Sequence, residues 1–217
     1  FLAYVASFIH RRPYIIYMPY PLTLLYPRNI DKQFEKVSKS NRFTKIVVGL
    51  VKPPLYLVDK QIIKKASAVI SEGQYAVDLF KKIYGKDVIN APAGADLISE
   101  QELNSINRFD GNLVISDQTI IPKPYILLTN RHVPKKKFEY AILAMQKIKK
   151  LSENNNTTPM LVITGAHTEY TIEIKKLSDR LGVSKHIIFT GLIPENQILS
   201  LYKNAAVYVY TAPEEDY

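Results

Sequence analysis

The sequence predicts an α/β protein in which parallel sheets are covered by helices. Short apolar runs alternate with amphipathic runs of helical spacing through most of the 217 residues. Hydrophobic residues make up 47% of the chain, which is enough for buried cores. Because alternating strands and helices pair their strands in parallel, we expect Rossmann-like sheets.

The first part of the chain contains three predicted strands, at 14–17, 67–71 and 88–90. Predicted helices cover 31–40, 55–66 and 74–84. We expect the helix at 55–66 to place Leu55, Val58, Ile62 and Ile63 on one face. The apolar run 46–58 contains Pro53 and Pro54, so we expect two buried helical pieces there.

The segment 97–124 interrupts this alternation. It has scattered charges, the turn sequence Asp110-Gly111-Asn112, and Pro122 and Pro124 near its end. We therefore divide the chain into a domain at 1–96, a linker at 97–124 and a domain at 125–217. A short strand at 113–115 is expected inside the linker.

The second domain has clearer signals. Predicted strands cover 125–128, 160–164, 187–190 and 207–210, and predicted helices cover 138–151, 171–181 and 194–204. Gly165 and Gly191 follow strands, and Gly182 follows a helix, where glycine permits a left-handed stop. Four strands with three intervening helices make half of a doubly wound sheet.

The composition limits the classes of partner. A net charge of +9 favours an anionic partner, which can be nucleic acid, an anionic membrane surface or a phosphorylated ligand. The chain has no cysteine, and its four histidines are isolated in sequence. We therefore expect no metal site built from thiolates or histidines.

A cluster of cations follows the first strand of the second domain. Arg131 and the run 135–137 lie at the carboxyl end of this strand, just before a predicted helix. Ligands of open parallel sheets collect at such ends, so the candidate rim comprises 130–136, 165–168, 190–194 and 211–215. Lysines in a first helical turn oppose the helix dipole, and a bound anion would remove that conflict. The alternative is a solvated helix start.

Two histidines, His132 and His167, lie on the same rim. Neither has a carboxylate partner nearby in sequence. A loop role is therefore favoured over catalysis for both.

Three segments carry a resemblance to a known family. TNRHVPKKKFEYAI and the stretch from LVITGAHTEY to YTAPEEDY resemble the carboxyl-terminal domain of family 4 glycosyltransferases, retaining nucleotide-sugar enzymes of the GT-B fold. ASAVISEGQYAVDLFKKIYGKDVINAPAGADL resembles the end of their amino-terminal domain, with the hinge turn at Pro92, Gly94 and Asp96. The resemblance implies two Rossmann-like domains, acceptor-binding at 1–96 and donor-binding at 125–217, each partly present in a chain truncated at both ends.

The resemblance also implies site residues. Arg131 and Lys136 match the pair that grips the donor diphosphate, and Glu215 matches a carboxylate that contacts the donor sugar. A turn that holds the nucleotide base matches Phe189, Gly191 and Pro194, with Leu192 and Ile193 between them. The implied catalytic residues are Arg131, Lys136 and Glu215, and the implied donor-binding residues are Arg131, Lys136, Gly165, Gly191, Leu192, Ile193 and Glu215.

Two positions depart from the family pattern. Lys137 stands where the family often has glycine, which adds charge at a place where a tight turn is usual. Gly165-Ala166-His167 replaces the common Gly-Asp-Gly loop.

The implied function is transfer of a hexose from a nucleoside-diphosphate sugar to a glycan or lipid-linked acceptor, with retention and without a metal or other cofactor. The enzyme is expected in the cytoplasm. The apolar and basic residues 1–12 permit peripheral contact with the inner face of the membrane, and a half-buried helix of the acceptor domain explains them equally well. The chain itself is expected to be inactive because part of each domain's site is missing. The alternatives are a sugar-nucleotide epimerase of the same fold and a basic protein that binds anions or nucleic acid. No nucleic-acid motif is present, so a nucleic-acid partner is not expected.

Overall fold

A computed structural model describes residues 2–28, 42–92, 94, 98–106, 113–115, 119–152 and 158–213. Within residues 42–50, only Gly49 is described beyond the backbone. The chain divides into two compact units, one within residues 1–96 and the other within residues 97–213. None of the helices in these described ranges combines the length and apolarity needed to cross a bilayer.

The first unit is a small parallel sheet with helices. Its elements are α1 (Leu2–His10), β1 (Ile15–Tyr17), α2 (Arg42–Lys65), β2 (Ala68–Ser71), α3 (Gln74–Tyr84) and β3 (Ile89–Asn90). The strand order is β1-β2-β3, with both pairs parallel. The strands predicted in this part are confirmed, whereas the helix predicted at 31–40 lies outside the described residues. The core of the unit is Ile63, Ala66, Val69, Phe80 and Tyr84.

Helix α2 differs from its prediction. The run 46–58 forms part of one continuous helix that contains Pro53 and Pro54. The prediction of two separate helical pieces is therefore wrong. Each proline removes only its own backbone donor, and the turns on either side stay helical. Leu55 and Val58 are 41% and 38% exposed, whereas Ile63 is fully buried. Within residues 51–65 of α2, the buried side chains lie toward the carboxyl end, and the predicted apolar face is not buried as a whole.

The second unit contains a four-stranded parallel sheet. Its elements are α4 (Glu100–Ser105), β4 (Leu113–Val114), β5 (Ile120–Ile121), β6 (Tyr125–Thr129), α5 (Phe138–Ser152), β7 (Met160–Thr164), α6 (Glu169–Arg180), β8 (Ile187–Gly191), α7 (Glu195–Asn204) and β9 (Val207–Tyr208). Two 3-10 turns, Pro134–Lys136 and Ser184–His186, precede α5 and β8. The sheet order is β8-β7-β6-β9, and all its pairs are parallel. The strands and helices predicted for this half are confirmed.

Apolar side chains cover both faces of this sheet. One core contains Leu128, Phe138, Ile142, Met145, Ile163 and Ile174, so α5 and α6 cover that face. The other contains Tyr125, Leu127, Val162 and Leu201, so α7 covers the opposite face. Adjacent residues of β6, Leu127 and Leu128, belong to different cores because successive strand side chains point to opposite faces.

Part of the predicted linker belongs to the second of these cores. Strands β4 and β5 pair antiparallel, and Leu113, Ile115 and Ile121 are buried beside Tyr125 and Leu127. The assignment of 97–124 as a linker stays a prediction. In the structure, the part of it from Leu113 onward contributes buried residues to the second unit.

Candidate functional site

Four loops leave the carboxyl ends of the parallel strands in the second unit. They are 130–137 after β6, 165–168 after β7, 192–194 after β8 and 209–213 after β9. We call them, together with the strand end Gly191, the carboxyl edge. In the order of the strands across the sheet, the edge presents Gly191 to Ile193, then Gly165 to Thr168, then Arg131 to Lys136, then Tyr210 and Thr211. The sheet therefore gathers the described site residues that the sequence predicted.

Backbone hydrogen bonds join three of these loops. The amide of Asn130 donates to the carbonyl of Thr164 at 3.1 Å, and the amide of Gly165 donates to the carbonyl of Gly191 at 3.0 Å. The amide of His132 donates to the carbonyl of Ala166 at 3.3 Å. These bonds satisfy backbone groups beyond the strand ends and hold the three loops in fixed relative positions.

Gly165 allows the backbone of the loop after β7 to lie very close to the backbone of the loop after β6. Its φ is 135°, and a Cβ built on it would lie 1.8 Å from the carbonyl oxygen of Asn130. No larger residue fits without moving that backbone. Its observed role is to let two loops touch, and its predicted contact with a donor stays a prediction.

Arg131 and Lys136 occupy the loop after β6. The Arg131 side chain is exposed, and its backbone amide donates to Oδ1 of Asn130 at 2.9 Å. The Lys136 ammonium donates to the Tyr210 hydroxyl at 3.1 Å and lies 5.5 Å from the centre of that ring. The Lys136 carbonyl accepts a hydrogen bond from the Thr211 hydroxyl at 2.6 Å. Lys136 is therefore fixed to the segment that follows β9, whereas the Arg131 guanidinium faces solvent.

The lysine run does not occupy the first turn of α5, which corrects the dipole argument. Lys135 and Lys136 lie in the separate 3-10 turn, and the first turn of α5 has the acidic residue Glu139. Lys137 follows that 3-10 turn in the left-handed conformation, with φ 50° and ψ 45°. Its ammonium lies 3.5 Å from Oε1 of Glu139. The tight turn that family members make with glycine is thus retained here with a lysine.

The loop after β8 combines bare backbone with an exposed apolar side chain. Gly191 has a positive φ of 70° and ends the strand, and Pro194 is the N-cap of α7. Leu192 is 79% exposed, whereas Ile193 packs against the core on the α7 face. Leu192 and Ile193 therefore differ in exposure, although the resemblance implied a donor-binding role for both.

His132 is a buried structural residue of the carboxyl edge. Its side chain is 0% exposed, with Nδ1 3.0 Å from the Thr171 hydroxyl, and its carbonyl accepts from the Thr168 hydroxyl. Burial is the largest cause that lowers the pKa of His132, and the nearby His167 lowers it further, to about 4. A hydrogen bond with the Thr164 backbone acts in the opposite direction. The imidazole is therefore neutral at pH 7. Phe138 packs against this ring from nearby in sequence, with the ring centres 4.9 Å apart. The hydrogen-bond partners Thr168 and Thr171 lie more than thirty positions away, where no local pattern reports them.

Two predicted positions lie outside the described residues. These are Glu215, the expected contact to the donor sugar, and Asp96 of the hinge turn. Their roles stay predictions.

Comparison with known proteins gives one family and several structures. Residues 115–216 match the model of glycosyl transferases group 1. The structure of Anabaena HepE, solved in complex with UDP and glucose, is similar with a TM-score of 0.58 at 16% identity. The match covers 96% of this chain and 48% of HepE, so the chain spans about half the length of that protein.

A glycosyltransferase from Rickettsia africae is also similar, at a TM-score of 0.49 and 15% identity, over 74% of this chain and 42% of that one. No protein with a curated description matches the sequence significantly. At such low identity the likeness to HepE bears on the fold alone, and the family match bears on residues 115–216. Residues 115–216 are therefore a group 1 glycosyltransferase domain, and the chain has the GT-B fold with two Rossmann-like units.

Proposed function

We propose that the protein containing this chain is a retaining, family 4 glycosyltransferase. It transfers a hexose from a nucleoside-diphosphate sugar to a glycan or lipid-linked acceptor. The observation that carries the proposal is the pair of cations, Arg131 and Lys136, at the carboxyl edge of a sheet within the segment that matches group 1 glycosyltransferases. HepE, whose structure contains UDP and glucose, supports a nucleotide-sugar donor.

The strand order supports an orientation for this donor. The loop after β8 would hold the base, the loop after β6 the diphosphate, and the segment after β9 the sugar, beside Glu215. Strands β8 and β6 are separated by β7, so their ends lie about 10 Å apart at the usual strand spacing. In an extended nucleoside diphosphate, the base and the diphosphate are separated by a similar distance. One donor molecule can therefore lie along the edge.

The proposed chemistry is stabilisation of the leaving diphosphate. As the bond between the sugar carbon and the phosphate oxygen breaks, negative charge develops on the diphosphate. The Arg131 guanidinium can donate two hydrogen bonds to phosphate oxygens, and the Lys136 ammonium adds a point charge that Tyr210 holds in place. Such fixed cations lower the energy of the transition state more than that of the bound donor.

Removing both cations tests the proposal. In the complete protein, Arg131→Ala with Lys136→Ala should abolish transfer, measured as released nucleoside diphosphate and elongated acceptor. The circular dichroism spectrum should stay unchanged, because Arg131 is exposed and Lys136 is only half-buried. Lys147→Ala with Lys150→Ala is the matched control, because it removes the same charge from the exposed face of α5 and should leave transfer intact.

Two outcomes would contradict the proposal. One is unchanged transfer in the double variant. The other is a product that is an isomerised sugar nucleotide instead of an elongated acceptor, which identifies an epimerase.

We also propose that the protein acts in the cytoplasm at the inner face of the membrane. Helix α1 has no buried residue, and Leu2, Phe8 and Ile9 are 82%, 80% and 66% exposed. Arg11 and Arg12 follow at its end, which suits an anionic lipid surface. Flotation with vesicles should show binding when they contain anionic lipid, and Arg11→Gln with Arg12→Gln should weaken it. Absence of binding to anionic vesicles would exclude this contact.

A further inference from the structure

His167 has an exposed side chain on a backbone that is held from both sides. The Ala166 carbonyl before it accepts the hydrogen bond from the His132 amide at 3.3 Å. The Thr168 amide after it donates to the Thr171 hydroxyl at 2.8 Å, within the capping box of α6. A side chain placed between two such anchors has a defined position at the surface, as a binding residue requires.

The ring of His167 lies between a buried ring and a bare turn. Its centre is 5.3 Å from that of the His132 ring, and the two planes are inclined by 35°. A methyl group added to Gly191 would lie 3.7 Å from Cε1 and 3.8 Å from Nε2 of His167, at ordinary contact distance. The exposed imidazole therefore lies beside the Gly191 turn, with His132 behind it.

Together, His167, Gly191 and Leu192 present the kind of surface that suits a nucleobase. A base has flat apolar faces and polar edges. The imidazole offers a flat ring, the exposed Leu192 an apolar side chain, and the turn at Gly191 backbone groups without a side chain in the way. Arg131 and Lys136 lie on the far side of this loop, after β6. The apolar patch and the cations are thus separated along the edge, as base and phosphates are within a nucleoside diphosphate.

We infer that His167 is a specificity-determining contact for the nucleoside part of the donor, with the base against its ring and His132 supporting that ring. The inference rests on the proposed glycosyltransferase function. It assigns a role to a side chain at a position where the family's usual Gly-Asp-Gly loop has none. It also adds a side chain to the donor contact that the resemblance already implied at Gly165 in the loop after β7.

Calorimetric titration of the complete protein with UDP, ADP, GDP and inorganic diphosphate tests the inference. His167→Ala should lower the affinity for the tightest-binding of the three nucleotides about tenfold, as expected for loss of one ring stacked on a base. The affinity for inorganic diphosphate should change by less than about twofold. His167→Phe retains a flat ring, so its affinity for that nucleotide should stay within about threefold of the original. His186→Ala, in the 3-10 turn before β8, is the matched control and should change neither affinity.

Each contrary outcome has its own meaning. Nucleotide affinity that is unchanged in His167→Ala, but lost in Arg131→Ala, overturns this inference and leaves the proposed function standing. If His167→Ala lowers the affinities for nucleotide and for inorganic diphosphate equally, the inference is also overturned, because His167 would then contact phosphate. If the complete protein binds no nucleoside diphosphate, the proposed function fails and the inference fails with it.

Discussion

The two edges of the second sheet use the same residue type for different purposes. At the carboxyl edge, Gly165 has a positive φ and its backbone nearly touches that of Asn130. At the opposite edge, Gly182 also has a positive φ, but nothing lies within 4 Å of a Cβ placed on it. Gly182 serves only to end α6 and turn the chain. Gly165 serves to bring two loops together, so the carboxyl edge is the more tightly constrained of the two.

The constraint matters because the residues of a binding site must hold their positions before the ligand arrives. At the carboxyl edge, backbone hydrogen bonds and the buried ring of His132 fix the loops that carry Arg131 and His167. At the amino edge, the short turn Ser184–His186 leads directly into β8. The difference between the edges can be measured.

Gly165→Ala should produce the largest effect. The added methyl meets backbone atoms that cannot rotate away, and φ is unfavourable for alanine, so we expect a loss of about 4 kcal/mol in the free energy of unfolding. Urea denaturation measures it, and failure of the second unit to fold would agree with the expectation. Gly182→Ala is the matched control and should lose only about 1 kcal/mol, for its left-handed φ. Equal losses in the two variants would mean that the edges do not differ.

The next largest expected effect is a pH dependence of the free energy of unfolding, which arises from His132 at the carboxyl edge. The pKa of His132 is lowered from 6.5 to about 4, so the unfolded chain binds a proton in this range that the folded chain does not. Stability should be fully present above pH 6.5 and should fall by about 3 kcal/mol as the pH drops to 4.

His132→Asn should remove this part of the pH dependence, because its amide can still reach the Thr171 hydroxyl but does not titrate. Urea denaturation at several pH values measures the difference. A profile that is the same with and without His132 would show that this imidazole is not protected from protonation.

A smaller effect is expected at Lys137, the carboxyl-edge residue that adopts a left-handed conformation without being glycine. Lys137→Gly relieves the backbone strain but loses the ion pair to Glu139, so we expect a net gain of about 0.5 kcal/mol in the free energy of unfolding. Lys137→Gln keeps the strain and loses the ion pair, so it should be slightly less stable than the original. A glycine variant less stable than the glutamine variant would show that the strain is negligible.

The smallest effect is expected from Tyr210→Phe. It removes the hydroxyl that accepts from the Lys136 ammonium but keeps the ring beside it. We expect diphosphate affinity to fall about threefold, as for loss of one exposed hydrogen bond, with no measurable change in stability. Calorimetry measures the affinity. An affinity equal to that of the original chain would mean that Tyr210 does not position Lys136.

The sequence predicted regular elements well and contacts between loops poorly. The strands at 160–164 and 187–190 were readable because each is a short apolar run followed by glycine within a few residues. In α2, the pair Pro53 and Pro54 was a misleading local signal, since a helix tolerates them when the neighbouring turns hold. Local patterns carry the information for elements that local interactions form.

The candidate site was only partly predictable for the same reason. Arg131 and Lys136 follow a strand, so their place at the carboxyl edge came directly from the strand assignment. The crowding at Gly165 and the burial of His132 depend on residues from other loops. No local pattern in the sequence reports such contacts.

The contact between Lys136 and the segment after β9 has a thermodynamic consequence. Tyr210 and Thr211 hold both the ammonium and the carbonyl of Lys136, and they lie four or five positions before Glu215. A phosphate that binds Lys136 therefore changes the energy of the segment that leads to the proposed sugar contact. By linkage, we expect the diphosphate and sugar portions of a donor to change each other's affinity by the same factor.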